Sequence, residues 1–135
     1  MGENRVKFDL GNILLALGLV LASASCSTTP TAPQPVQHVV LMWLERPESA
    51  ADRAQLVRAA RSLQMMPGVV RVETGRNVPS PNTEADRDFD LGVVITFRDR
   101  ASLQRYEKNP RHTEEMQRYL KPLVRRYAVY NLGTR

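Results

Sequence analysis

The stretch FDLGVVITFRDRASLQRYEKNPRH, residues 89–112, decides which fold this chain is expected to adopt. Its first part is a predicted strand at 89–97 in which alternate side chains are apolar and share one face, namely Phe89, Leu91, Val93, Ile95 and Phe97. Asp99 then begins a short predicted helix that carries Leu103 and Tyr106 on its apolar side. A strand followed directly by a helix is therefore expected at the centre of the fold.

A junction between two helices is predicted at Asn109 and Pro110. Proline donates no backbone hydrogen bond and clashes with the preceding helical turn, so one continuous helix is disfavoured here. Asparagine is a strong helix N-cap and proline a favoured first residue, so a second helix should begin at Pro110 and carry an apolar stripe: Met116, Tyr119, Leu120 and Leu123. His112 then lies close to the positive end of that helix, which favours the neutral imidazole.

The remaining elements are predicted from apolar periodicity and from turn residues on both sides of this stretch. Ser49 should cap a first helix, with Asp52 completing a capping box, and Pro67 and Gly68 should end it. Three more strands are expected: 37–44, 69–77 and 125–132. A long polar loop is expected at 78–88. The order β-α-β-β-α-β predicts an α+β, ferredoxin-like fold with a four-stranded antiparallel sheet and helices on one face.

The first predicted strand, QHVVLMWL at 37–44, is apolar on both faces. One face carries His38, Val40, Met42 and Leu44, and the other carries Val39, Leu41 and Trp43. Helices can cover only one of these faces. We therefore expect a second copy of the chain to cover the other, which predicts a homodimer whose two sheets pair into an α/β barrel. The alternative is a monomer with one unusually apolar sheet face.

The N-terminal part has the pattern of an export signal. A short charged start precedes the apolar run ILLALGLVLA at 13–22, which is too short to span a bilayer comfortably. The following SASC resembles a bacterial lipobox, so Cys26 is predicted to be lipidated after removal of a signal peptide, 1–25. The alternative is ordinary secretion through cleavage at the small residues of ASA, 22–24.

A Ser/Thr/Pro-rich segment at 26–36 is predicted to be an extended tether to a folded domain at 37–135. The expected location is the cell envelope. In a Gram-negative cell it is the outer membrane facing the periplasm, because Ser27 stands where an inner-membrane retention signal has aspartate. A soluble secreted or periplasmic protein is the alternative. The net charge of +5 is spread among acidic residues, so no nucleic-acid partner is expected.

Several of these segments together resemble the stress-responsive dimeric α/β-barrel, or Dabb, domain. The resemblance spans about 37–132 and includes HVVLMWL, MPGVVRVETGRN, the stretch at 89–112 and a final strand ending in Tyr130. It implies a homodimer with a small-molecule cavity between the sheet and the helices. One member of the family, a plant polyketide cyclase, has tyrosine and histidine in the same spacing and acts by aldol condensation without a cofactor.

By that resemblance Tyr106 and His112 are candidate catalytic residues, and His38, Tyr106 and His112 are candidate ligand-binding residues. Histidine would remove a proton beside a carbonyl, and tyrosine would stabilise the oxyanion. The alternative for all three is a structural role. Tyr106 and His38 would be core residues, and His112 would fix the helix corner by bonding a backbone carbonyl. Two histidines and one cysteine are a poor set of metal ligands, so neither a metal site nor a cofactor is predicted.

Three functions therefore stay open. The first is a lipid-anchored protein that binds a small, partly apolar ligand. The second is a cofactor-free lyase or cyclase, and the third is a non-catalytic, stress-related structural module.

Overall fold

The computed structural model describes residues 32–78, 80–81 and 88–133. The strands are β1 (Val36–Leu44), β2 (Val69–Gly75), β3 (Leu91–Phe97) and β4 (Val124–Gly133). The helices are α1 (Ala50–Ser62), α2 (Arg100–Glu107), α3 (Pro110–Glu115) and α4 (Lys121–Leu123). A 3₁₀ turn at Leu63–Met65 extends α1, and a π-helical segment at Met116–Leu120 joins α3 to α4.

The four strands form one antiparallel sheet in the order β2-β3-β1-β4. The predicted ferredoxin-like α+β fold is thus confirmed, with β1 and β3 at the centre and β2 and β4 at the edges. The strand limits differ from the predicted ones by one or two residues. For example, β1 begins at Val36 and β2 ends at Gly75. Most of the predicted polar loop at 78–88 lies outside the described residues.

The start of α1 is capped by Ser49, as predicted, but the capping box is absent. The Ser49 hydroxyl accepts a hydrogen bond from the backbone N–H of Asp52 at 3.2 Å. The Asp52 carboxylate does not accept the backbone N–H of Ser49, which donates to the carbonyl of Arg46 at 2.9 Å. It is buried and instead accepts two hydrogen bonds from the Arg46 guanidinium, at 2.6 and 2.8 Å. A bidentate charged partner is stronger than one backbone N–H, and it holds the pKa of Asp52 below its usual value.

Gly68 allows α1 and its 3₁₀ turn to lead into β2. Its φ of +86° lies in the region that side chains disfavour, and a Cβ placed there would come within 2.5 Å of the Ser102 side chain. Ser102 is fully buried at the start of α2, where its backbone N–H and its hydroxyl both donate to Asp99 at 2.7 Å. The turn before β2 therefore packs directly against the cap of α2.

The hydrophobic core lies between the helices and one face of the sheet, here called the inner face. Four alternate residues of β3 provide its centre, each at most 4% exposed: Leu91, Val93, Ile95 and Phe97. The expectation that Phe89 joins this face is wrong. Phe89 precedes β3, and its ring lies beside Gly92 and is only half-buried. Gly92 pairs with Leu41 of β1, and both positions face away from the helices. A Cβ on Gly92 would meet the Phe89 ring as well as Leu41, so Phe89 packs on the side of the sheet opposite the helices.

That opposite side, here called the outer face, remains apolar and partly open. Val39 and Leu41 are half-buried, while Tyr130 and Leu132 of β4 are each 54% exposed. Trp43 differs from its neighbours because it is buried within its own chain, with the Arg126 guanidinium 3.6 Å from the centre of its ring. The burial of Trp43 therefore needs no second copy of the chain. In contrast, Tyr130 and Leu132 have little cover within the described residues.

The predicted signal peptide, Cys26 and most of the predicted tether lie outside the described residues. Residues 32–35 have no regular secondary structure. Within the part of the chain that the structure describes, no helix has the length and apolar character needed to span a membrane.

Candidate functional site

A cavity of about 290 Å³ lies between the inner face of the sheet, α1 and the segment from α3 through the π-helical turn. Its wall is largely apolar. The apolar lining consists of Val40, Met42, Leu56, Ala59, Ala60, Leu63, Val93, Ile95, Met116, Leu120 and Val129. The remaining lining residues carry polar atoms: His38, Tyr106, Glu107, His112, Glu115, Tyr119 and Tyr127. The cavity thus offers an apolar volume with a few polar groups at its wall.

Three aromatic side chains converge on this cavity. The ring centres of Tyr106 and His112 are 4.5 Å apart, and those of His38 and Tyr106 are 5.8 Å apart. Phe97 supports the group from the core, with its ring centre 5.0 Å from that of Tyr106. The three side chains singled out from the sequence, His38, Tyr106 and His112, therefore line one cavity. Cys26 lies outside the described residues.

The break between α2 and α3 brings Tyr106 and His112 together. Helix α2 ends at Glu107, and the Asn109 side chain accepts a hydrogen bond from the backbone N–H of Arg111 at 2.9 Å to cap α3. Pro110 is the first residue of α3. Because α3 takes a new direction at this cap, the side chain of its third residue, His112, returns beside Tyr106. One straight helix would have separated the two rings by almost two turns.

Tyr106 keeps its proton under all ordinary conditions. Burial raises the pKa of its hydroxyl, and the negative charges of Glu107 and Glu115 raise it further. The ring is only 4% exposed. Among the residues the structure describes, none is within hydrogen-bonding geometry of this hydroxyl. Tyr106 is therefore a hydrogen-bond donor whose hydroxyl is available to a molecule in the cavity.

His112 is held in its neutral form. Burial lowers the pKa of its imidazole, and the nearby His38 lowers it further. The charge and the backbone carbonyl of Glu107 act in the opposite direction, but they do not prevail. A neutral imidazole has one nitrogen that can accept a proton, so near pH 7 His112 has the protonation state that a general base requires.

His38 is positioned by a residue that the sequence did not reveal, Asn131 of β4. The two residues lie opposite each other in the register of β1 and β4, and Nδ1 of His38 donates to Oδ1 of Asn131 at 2.7 Å. In the neutral imidazole this hydrogen bond selects the tautomer with its proton on Nδ1. The pairing depends on strand register, which cannot be predicted from the spacing of two residues 93 positions apart.

Glu115 also belongs to the cavity wall. It lies one turn after His112, on the same side of α3. One of its carboxylate oxygens, Oε2, is buried without a hydrogen-bond partner among the described residues. The three-residue spacing from His112 was the signal that could have identified it.

The remaining lining residues complete the roof and one side of the cavity. Met116, Tyr119 and Leu120 come from the π-helical segment, a wider turn that often occurs at functional sites. Tyr127 and Val129 come from the edge strand β4 and are about half exposed. Within the described ranges, no group of three or more His, Cys, Asp or Glu side chains is arranged to bind a metal ion.

The fold of this chain matches that of several solved structures. A Dabb-family protein with a ferredoxin-like fold from Mesorhizobium loti superposes with a TM-score of 0.62 and 21% identity, over 76% of this chain and 98% of that one. The hydroxynitrile lyase of Passiflora edulis has a TM-score of 0.64 and 20% identity, over 76% and 95%. A dimeric ferredoxin-like protein of unknown function from Thermobifida fusca has a TM-score of 0.59 and 14% identity, over 76% and 92%.

These identities are low, so the structural matches establish a common fold alone. Among curated proteins, none matches the chain in sequence. The family model of the stress-responsive A/B barrel domain, however, matches residues 36–132. This range includes every residue that lines the cavity and all four strands, except the last residue of β4. The chain therefore belongs to the stress-responsive A/B barrel, or Dabb, family.

Proposed function

We propose that the protein binds a small, partly apolar organic ligand in the cavity between the sheet and the helices. One observation carries this proposal: apolar side chains and three polar aromatic side chains, His38, Tyr106 and His112, line the same cavity. Mostly apolar sites with a few convergent polar groups are typical of small-molecule binding. The volume of about 290 Å³ suits one ring or one short chain.

Titration with octan-1-ol, a neutral probe with one hydroxyl, tests this proposal by isothermal titration calorimetry. Ala60 lines the cavity, so the Ala60→Phe variant should fill it and abolish binding. Ala54, on the exposed side of the same helix, provides the matched control, and its change to Phe should leave affinity unchanged. Equal octan-1-ol affinity in both variants would contradict binding in this cavity. Circular dichroism checks that both variants are folded.

A second candidate function is a cofactor-free lyase or cyclase reaction of the aldol type. His112 is neutral and would take a proton from the carbon next to a carbonyl of the substrate. Tyr106 keeps its proton and would donate a hydrogen bond to the enolate oxygen. The carbanion then adds to a second carbonyl of the substrate, and the proton returns from His112 to the new alkoxide.

The observation that favours this candidate is the contact of the two rings, whose centres are 4.5 Å apart at the cavity wall. The Passiflora edulis protein that shares this fold is a hydroxynitrile lyase, which makes a lyase reaction worth testing here. In the lyase direction, His112 would take the hydroxyl proton of a hydroxynitrile. The carbon–carbon bond would break and an aldehyde would form, and the departing cyanide would take the proton from His112 and leave as hydrogen cyanide.

Release of benzaldehyde from mandelonitrile, followed by absorbance, tests this second function. We expect the His112→Gln variant to lose about a hundredfold in rate, the lower range for a general base. Its affinity for octan-1-ol should stay within a factor of two of the original. Tyr106→Phe should also slow the reaction, because the oxyanion loses its donor. Equal rates in the original protein and in His112→Gln would contradict catalysis by this histidine.

We further propose that the outer face of the sheet forms a homodimer. Val39, Leu41, Tyr130 and Leu132 leave this face apolar and partly exposed, which favours burial against another protein surface. The related fold from Thermobifida fusca is described as dimeric. Native mass spectrometry should give twice the mass of one chain. A monomer at micromolar concentration would contradict the proposal.

Finally, we propose that Cys26 carries a lipid anchor that holds the domain in the bacterial envelope. The apolar run, the SASC sequence and the Pro-rich segment support this proposal. Detergent phase partitioning of cell extracts tests it, because the original protein should enter the detergent phase and the Cys26→Ser variant should not. Recovery of both proteins in the aqueous phase would contradict the anchor and favour a soluble exported protein.

A further inference from the structure

A second pocket lies next to the cavity, on the surface between α1 and α3. Three arginine side chains line it: Arg58 of α1, Arg111 of α3 and Arg118 of the π-helical segment. Gln55 and Ser62 add polar atoms to its wall. We call this surface the arginine pocket. Its character is opposite to that of the cavity, which is mostly apolar.

The two spaces are neighbours. Ala59, Glu115 and Tyr119 line both the cavity and the arginine pocket, so these three residues form the boundary between them. A molecule whose apolar part fills the cavity can therefore extend past this boundary and reach the guanidinium groups. Such a molecule would have an apolar body and a charged end.

The charges of the arginine pocket are not balanced by the chain itself. Across the described residues, neither Arg58, Arg111 nor Arg118 forms an ion pair with a carboxylate. Arg118 lies over the Tyr119 ring at 5.4 Å, a contact that leaves its charge uncompensated. Among the described residues that line this pocket, Glu115 is the one acidic residue, so three arginines and one glutamate give the lining a net charge of +2.

We infer that the ligand is an amphipathic organic anion, held with its apolar body in the cavity and its carboxylate, sulfate or phosphate group in the arginine pocket. This inference rests on the ligand binding proposed above and names the chemical class of that ligand. Guanidinium groups suit such anions because their planar N–H donors match two oxygens at once. The carboxylate of Glu115, at the boundary between the two spaces, repels a bound anion and so weakens its attraction to the arginines.

The ligand is a free molecule and not a bilayer lipid. The cavity holds about 290 Å³, which is at the lower end of the range for small-molecule sites. It has room for one short chain and not for two long acyl chains. A phosphate headgroup could contact the same arginines, so the experiment includes a lipid arm.

Calorimetric titration with octanoate and octan-1-ol, which share one apolar chain length, measures the contribution of the anionic group. We expect octanoate to bind about tenfold more tightly, the lower limit for a hydrogen bond to a charged group. The triple variant Arg58→Gln, Arg111→Gln, Arg118→Gln should bind both probes equally. Raising the salt concentration should also reduce the preference, because these arginines are exposed.

A matched variant removes the same number of charges elsewhere. Arg61, Arg98 and Arg100 are exposed and line neither space, so their change to Gln should leave the octanoate preference intact. The Glu115→Gln variant should bind octanoate more tightly than the original protein, because a repulsive charge is removed. A purely structural role for Glu115 predicts no such gain.

The outcomes separate the two proposals. If octan-1-ol binds and octanoate binds no more tightly, or if the preference survives in the arginine triple variant, the anion inference is overturned while ligand binding stands. If neither probe binds, both are overturned. Vesicles of phosphatidylglycerol should not displace octanoate, and displacement by them would overturn the assignment to a free anion. If the triple variant does not fold, the single variant Arg58→Gln replaces it in the experiment. It should lose part of the preference for octanoate over octan-1-ol.

Discussion

The inner and outer faces of the sheet have similarly apolar sequences but opposite environments. Leu91, Val93, Ile95 and Phe97 face the helices and are almost completely buried. Val39 and Leu41 on the outer face are half-buried, and Tyr130 and Leu132 are more than half exposed. The difference shows that alternation of apolar residues places side chains on a face, whereas the cover of that face comes from other parts of the chain or from a partner.

The largest expected effect of this difference concerns two phenylalanines. Phe97 is fully buried on the inner face and contacts the Tyr106 ring, so Phe97→Ala should lower the free energy of unfolding by about 4 kcal/mol. Phe89 is half-buried on the outer face, and Phe89→Ala should cost about 1 kcal/mol. Urea denaturation measures both values. Equal losses would show that the outer face is packed as tightly as the inner one.

The next effect concerns two glycines, one against the helices and one at the end of β2. Gly68 has positive φ and no room for a Cβ beside Ser102, so Gly68→Ala should cost about 3 kcal/mol. Gly75 has no atom within 4 Å of the corresponding position and no unusual φ. Gly75→Ala should therefore change stability by less than about 0.5 kcal/mol. A similar stability of the two variants in urea would contradict the close packing of Gly68.

A smaller effect is expected where the outer face is proposed to meet a second copy. Leu132→Arg changes an exposed residue, so the stability of one chain should vary by less than about 0.5 kcal/mol. In the dimer the charge would be buried without a partner and should weaken association by about 2 kcal/mol. Sedimentation velocity measures the shift toward monomer. Met65→Arg, at an exposed site beside α1, is the control and should leave association unchanged.

The smallest effect concerns His112 on the inner side. Its pKa is lowered in the folded protein, so below pH 6.5 the unfolded chain binds more protons than the folded one. Stability should therefore be complete above pH 6.5 and should fall as the pH drops toward 5. The His112→Gln variant should lack the loss of stability that comes from protonation of this histidine, so its stability should fall less between pH 7 and pH 5. Thermal unfolding at pH 7 and pH 5 measures it, and an identical fall in both proteins would contradict the assignment to His112.

Local sequence patterns sufficed for the strands, the helix junction and the fold class. Pro110 forbids a continuous helix wherever the rest of the chain lies, and alternation in β3 follows from strand geometry. The same reasoning placed Phe89 on the wrong face, because alternation holds only within a strand and Phe89 lies before one. It also assigned Asp52 to a capping box, although Arg46 competes successfully for the same carboxylate.

Local sequence is enough to set the order of the elements and to bring Tyr106 and His112 near each other, because a capped helix junction is a local feature. The pairing of His38 with Asn131 depends on how the elements pack together. The same is true of the positions of Glu115 and the three arginines around two adjoining spaces. Those relations join residues from different elements. They depend on strand register and helix packing, which are set by the burial of the whole inner face and by no single stretch of the chain.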